Sequence, residues 1–203
     1  MRNKIGIACM TCGVVLVLAA LVLFIYNRRE AQQAEKSVET IGPKLVEYIQ
    51  EKKNKDPDAS GEPVYPDPYD PEMTEVEIDG YAYVGYISIP ALGLELPVMS
   101  EWDYRRLKIA PCHYTGSTKT NDLVIAAHNY RSHFGRLSEL SAGDEVLFVD
   151  MDGRVWNYTV AAVDVLSPFA VEEMTAGEYD LTLFTCTYGG ANRVTVRCER
   201  SLE

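Results

Sequence analysis

Leu181-Thr182-Leu183-Phe184-Thr185-Cys186, then Thr187-Tyr188-Gly189-Gly190-Ala191-Asn192, then Arg193-Val194-Thr195-Val196-Arg197-Cys198, is the stretch on which this chain's reading turns. Two β-like runs flank a Gly-Gly pair, the pattern of two strands joined by a loop. Cys186 ends the first run, where a small reactive side chain stands beside backbone that a substrate can approach. If the two strands pair as a hairpin, Arg193 returns beside Cys186. A guanidinium there favours the thiolate and offers donors to a developing oxyanion. The same spacing is also compatible with a small buried cysteine beside a surface arginine. Arg197 is the rival cation. Strand alternation puts Arg193, Thr195 and Arg197 on one face, but Arg197 lies about 13 Å further along.

Upstream, short β-like segments continue. Tyr86-Ile87-Ser88-Ile89 ends at Pro90, and Leu123 to Ala127 is an apolar run of strand length. Val146 to Asp150 and Val155 to Val163 flank Met151-Asp152-Gly153, where Asp-Gly signals a hairpin. Phe134, Leu137 and Leu140 are spaced like one face of a short helix. Many short strands with little helix predict a closed or nearly closed β-barrel.

His128 ends the run Leu123-Val124-Ile125-Ala126-Ala127, next to Asn129 and Tyr130. There it is placed to exchange protons with a thiol and an amine; a hydrogen-bonded structural role is the alternative. His113, in an apparent loop beside Pro111 and Cys112, and His133, in a polar loop, are its competitors. Three histidines without carboxylates at a recognisable spacing give no metal site.

Ile5 to Tyr26 is a 22-residue stretch without a formal charge. As a helix it spans roughly 33 Å, enough for a hydrocarbon core of about 30 Å. It exceeds a signal-peptide core and ends in Phe24-Ile25-Tyr26-Asn27-Arg28-Arg29, a poor cleavage site, so an uncleaved anchor is expected. Arg2 and Lys4 on one side and Arg28 and Arg29 on the other nearly cancel as orientation signals. Residues 30–53 read as a helical stalk, with Val38, Ile41, Leu45 and Ile49 on one face and a break at Gly42-Pro43 into two pieces. Residues 54–75 are rich in Pro, Asp and Glu and read as an extended linker. The expected division is an anchor over 1–29, stalk and acidic linker over 30–79, and a folded domain over 80–203.

The net charge of −11 excludes binding to nucleic acid by phosphate neutralisation. Nine carboxylates against Lys55 alone fall within residues 55–80, so much of that charge solvates the linker. Cys9, Cys12, Cys112, Cys186 and Cys198 form an odd, scattered set rather than a disulfide framework. Cys9 and Cys12 lie in the apolar run, and Cys112 and Cys198 are expected to be unpaired.

Thr182-Leu183-Phe184-Thr185-Cys186 resembles the T-L-x-T-C active-site motif of sortases, and Arg193 stands where that family carries its essential arginine. Gly85-Tyr86-Ile87-Ser88-Ile89-Pro90 is similar to the G-x-I-x-I-P strand opening the sortase core. His128-Asn129 resembles the family's histidine, with Ala127 where Gly is usual. Phe134, Leu137, Leu140 and Gly143-Asp144 also recur in that family. The resemblance covers about residues 81–200, in order.

The resemblance implies a mainly β fold, an eight-stranded sortase barrel with short helices, placed outside the cell behind the transmembrane helix. It implies a two-step transpeptidation with Cys186 as nucleophile, His128 as proton carrier, Arg193 on the substrate backbone or oxyanion, and Thr185 and Asn129 in substrate binding. The partners implied are surface proteins bearing a C-terminal sorting signal, an amine of a cell-wall precursor or pilin, and membrane lipid around the N-terminal helix. No cofactor is required. A peptide hydrolase of the same fold and an inactive, membrane-tethered wall-binding module are the competing functions. Asp67-Pro68-Tyr69 resembles the lid motif of pilus-building class C sortases, though an acidic Pro-rich linker produces such a triplet readily. Ser167 to Asp180 is too short for the long helical insertion of class B. The class stays open.

Overall fold

A computed structural model describes residues 2–55 and 71–201. Asp67-Pro68-Tyr69 lies outside the described residues. The chain opens with one helix, α1 (Arg2–Lys55), followed by nine strands: β1 (Val76–Ile78), β2 (Tyr81–Ile89), β3 (Leu94–Met99), β4 (Cys112–Thr115), β5 (Leu123–Ala126), β6 (Glu145–Asp150), β7 (Val155–Leu166), β8 (Leu181–Cys186) and β9 (Arg193–Arg200). A five-residue helix, α2 (Val171–Thr175), lies between β7 and β8.

The strands run in the order β1-β2-β3-β4-β5-β8-β9-β7-β6, and β6 returns to pair with β2. That last pairing closes an eight-stranded ring from β2 to β9 and removes its open edges. β1 is a ninth strand outside the ring. It holds the first part of β2, Tyr81 to Tyr83, while β6 takes the same edge from Gly85 to Ser88. Gly85 sits at this handover, where an added Cβ would stand 2.1 Å from the Val149 carbonyl oxygen. No other residue fits there without moving a strand.

Alternation fills the ring. Ile87 and Ile89 of β2, Ile125 of β5, Phe148 of β6, Leu183 of β8 and Val196 of β9 are fully buried and form one cluster. Phe134, Leu137 and Leu140 join it from the β5–β6 connection, where only Leu137–Glu139 forms a 3-10 turn. In the β6–β7 hairpin the Asp150 carboxylate accepts the backbone N–H groups of Asp152 and Arg154 and the Trp156 indole N–H, at 2.9, 3.0 and 2.9 Å. Gly153 supplies the positive φ that the turn needs.

A second cluster lies outside the ring, under α1. Ile41, Leu45 and Ile49 pack there with Tyr83, Met99, Val149 and Met151. Each such side chain contributes about 1.5–3 kcal/mol when fully buried. The expected break at Gly42-Pro43 does not occur, and α1 is one 54-residue helix with Pro43 inside it. An interior proline costs about 3 kcal/mol, and the apolar contacts on both sides of Pro43 offset that cost. The expected stalk face therefore docks α1 along the barrel.

Candidate active site

β5 and β8 run parallel, with Ala126 opposite Phe184. Two residues further on, His128 follows the end of β5 and Cys186 ends β8, on strands that lie about 4.8 Å apart where they pair. β8 and β9 are antiparallel, and Cys186 is the direct cross-strand partner of Arg193. Ala126, His128, Phe184, Cys186 and Arg193 thus share the outer face of the barrel wall, because side chains alternate along each strand.

These three side chains line one groove of about 140 Å³. Trp102, Tyr104 and Leu107 from the β3–β4 connection wall it on one side, and Pro168, Val171 and Met174 from the β7–β8 connection on the other. Tyr114 and Phe184 meet edge to face on its floor at 5.2 Å, and Trp102 packs on Tyr114 at the same separation. The groove is therefore largely aromatic, with a thiol, an imidazole and a guanidinium gathered at it.

The Nε2 of His128 is buried and has no hydrogen-bond partner within the protein. Its ring stacks on Tyr130 at 4.9 Å. Burial lowers the His128 pKa, and the nearby Lys108 charge lowers it further against an opposing pull from Glu30. The ring is thus held neutral near pH 7, able to take a proton.

Arg193 donates from Nη1 to the Gly190 and Asn192 carbonyls of its own loop, at 3.2 and 3.1 Å. That loop is closed on itself: Thr187 N–H donates to the Asn192 carbonyl and Gly190 N–H to the Thr187 carbonyl, with Gly189 and Gly190 both at positive φ. Asn129 reaches the loop through an amide contact with the Thr187 carbonyl at 3.5 Å. Thr185 is buried and donates its hydroxyl to the Ala127 carbonyl at 2.8 Å, tying the end of β8 to the residue before His128. Thr185 and Asn129 thus both hold the frame of the site.

Arg197 is engaged elsewhere. It is 5% exposed, and its guanidinium donates to Thr182 Oγ1 and to the Met174 and Glu173 carbonyls at the end of α2. His113 lies on β4 rather than in a loop, with its ring nitrogens against the Ser100 and Gly116 carbonyls. His133 is fully buried despite its polar neighbours, and burial takes its pKa down to about 4. Cys112 and Cys198 are free, buried thiols whose pKa values burial raises to about 12, whereas Cys186 is partly exposed in the groove. No cluster of metal-ligating side chains occurs among the described residues.

The groove's aromatic walls went unread in the sequence. Trp102 and Tyr104 reach it from a connection without strand or helix periodicity, and Tyr114 from β4, a four-residue strand. Only their proximity in space marks them.

Comparison with known proteins finds sortases. A sortase A of Bacillus anthracis is 26% identical over 125 residues, and the match spans 57% of each chain. The crystal structure of sortase C1 from Streptococcus agalactiae is 27% identical, with a TM-score of 0.54 over 63% of this chain and 72% of that one. Sortase A from Corynebacterium diphtheriae, 17% identical, shares the fold with a TM-score of 0.56 over 87% of this chain and 94% of that one. The sortase domain model matches residues 87–201, more than half of the 203. Because that match runs from within β2 to just past β9, the chain belongs to the sortase family.

Proposed function

We propose that the chain is a membrane-anchored cysteine transpeptidase acting on the sorting signals of surface proteins. His128 takes the Cys186 thiol proton, the sulfur attacks a backbone carbonyl carbon of the signal, the C–N bond breaks, and His128 delivers that proton to the departing amine. The acyl group stays on sulfur as a thioester. An amine of a cell-wall precursor or a pilin lysine then attacks that carbonyl, gives its proton to His128, and expels the thiolate. Arg193 turns from its loop carbonyls to the oxygen that gains charge in both steps. Splitting one amide exchange through a thioester replaces one difficult step with two easier ones.

In this reading residues 1–29 anchor the chain in the membrane, residues 30–79 connect, and residues 80–203 form the catalytic domain outside the cell. The described part of α1 contains a span of mean hydropathy 2.6, long and apolar enough to cross a bilayer. Thr185 and Asn129 serve from behind, holding the His128 strand end and the Thr187–Asn192 loop.

The observation that carries the reading is the register that brings His128, Cys186 and Arg193 to one face around one groove. The test uses the full chain in detergent with a panel of sorting-signal peptides, with and without amine acceptors. Mass spectrometry should find an acyl adduct on Cys186 and, with amine, the ligated product. Hydrolysis alone with every acceptor would make the protein a peptidase. Labelling of Cys186 no faster than in denatured chain would leave a wall-binding module.

A further inference from the structure

The barrel is pinned to α1 at three heights, the middle one by Lys44 and Asp79. Lys108 donates to Glu30 at 2.6 Å, and Tyr26 donates to the same carboxylate at 2.9 Å. Tyr26 ends the uncharged run, so Glu30 stands about 6 Å beyond it along the helix axis. At the other end Lys52 pairs with Asp152 in the β6–β7 turn at 2.6 Å, about 39 Å from Tyr26. The catalytic groove belongs to the lower end. Leu107, which walls it, precedes Lys108, and His128 lies within electrostatic reach of both Lys108 and Glu30.

That lower end differs in charge from the rest of an acidic chain. Arg28, Arg29, Arg105, Arg106, Lys108, Arg131 and Arg193 stand there or next to groove residues, against Glu30, Glu101, Asp103, Glu172 and Glu173. Arg106 is taken up by Glu101 and Asp103, and Lys108 by Glu30. Among the described residues Arg28, Arg29, Arg105 and Arg131 make no close ion pair, although Arg105 and Arg131 stand near enough to Asp103 and Glu139 to pull those carboxyls down. Beside them Trp102 is 42% exposed and Tyr104 73%.

We propose that this end of the barrel rests on the anionic phospholipid headgroups of the bilayer that α1 crosses, so that the groove opens within the headgroup layer. The inference depends on reading α1 as a membrane anchor. The layer between hydrocarbon and water is about 5–8 Å deep on each side, and Glu30 stands at that height. Arginines without a close ion pair are drawn to anionic lipid, and Trp and Tyr favour the interface. The acidic remainder of the domain is repelled by the same surface, which fixes the orientation.

The test places the full chain in vesicles of phosphatidylcholine alone, or with about a third phosphatidylglycerol. Quenching of Trp102 is read with a headgroup nitroxide lipid and with aqueous iodide. Trp102→Phe isolates its signal, because the other tryptophan, Trp156, is 2% exposed. In anionic vesicles the lipid quencher should remove roughly twofold more of the Trp102 signal than in neutral ones, with iodide access falling. Arg105→Glu combined with Arg131→Glu should abolish that difference. Trp102 open to iodide and untouched by the nitroxide in both vesicles would overturn the proposal. Protection that ignores lipid charge but grows with protein density would assign the face to a second copy, and equally overturn it. Alkaline carbonate separates the two readings: a chain washed off the vesicles removes the anchor and this inference together. A chain retained with Trp102 unquenched removes the inference alone.

Discussion

Cys186, the last residue of β8, and Arg193, the first of β9, face each other as a direct cross-strand pair. The six-residue loop between them brings the cation back beside the sulfur without any longer-range contact. Arg197, four residues further on, is walled in by Thr182 and the last carbonyls of α2. The two arginines therefore predict opposite variants.

Arg193→Ala should lower kcat/KM by about 10²-fold or more, the usual loss for an oxyanion donor, with little change in melting. Arg197→Ala should destabilise the fold by on the order of 3 kcal/mol, because two buried acceptors and a part-buried one lose their donor. Turnover at a temperature where both variants are folded, set beside their melting curves, checks the pair. A stable, inactive Arg197 variant would reverse the assignment.

Lys108 is one of the charges that hold the His128 pKa down, after burial itself. Lys108→Gln should raise it, since the cation leaves and the Glu30 charge is no longer neutralised. The acidic limb of the activity profile should move up in pH with it. Imidazole titration by NMR in the two proteins reads the shift directly.

His133 is buried, and neither ring nitrogen has a partner within the protein. Its folded pKa of about 4 lies below the ordinary value of 6.5. Between those values the unfolded chain binds the proton and the folded one does not, so stability rises with pH. As pH falls below 6.5 the loss should approach about 1.4 kcal/mol per unit, levelling off below the folded pKa. Denaturant titrations from pH 7 to 4 should show this slope, and His133→Leu should flatten it.

Gly85→Ala would drive a methyl group into the Val149 carbonyl. Since backbone must move where β6 takes over from β1, the expected cost is several kcal/mol, at the upper end for a single substitution. Gly80→Ala, at a turn glycine with open space around it but a positive φ, should cost only about 1 kcal/mol. Thermal melting of the two variants makes the comparison.

Local pattern made the barrel and the proposed catalytic trio readable. Cys186 and Arg193 are close in sequence, so strand alternation and a short loop were enough to pair them. His128 needed only the end of an apolar run. The short strand β3 contains Pro97, and β4 begins just after Pro111, so neither gave a clean β signal. Gly42-Pro43 was read as a break because propensity ignores what Ile41 and Leu45 find on the barrel. The groove walls come from the β3–β4 and β7–β8 connections, whose meeting depends on ring closure, a long-range event that no local window contains.

Insulating Cys112 and Cys198 gives the domain a built-in clock. With both sulfurs sealed away, a water-soluble alkylating reagent counts one fast modification in the native domain, at Cys186. Each later one marks an opening of the β4 or β9 region. Thiol oxidation follows the same order, so under the proposed function it stops turnover before it loosens the fold.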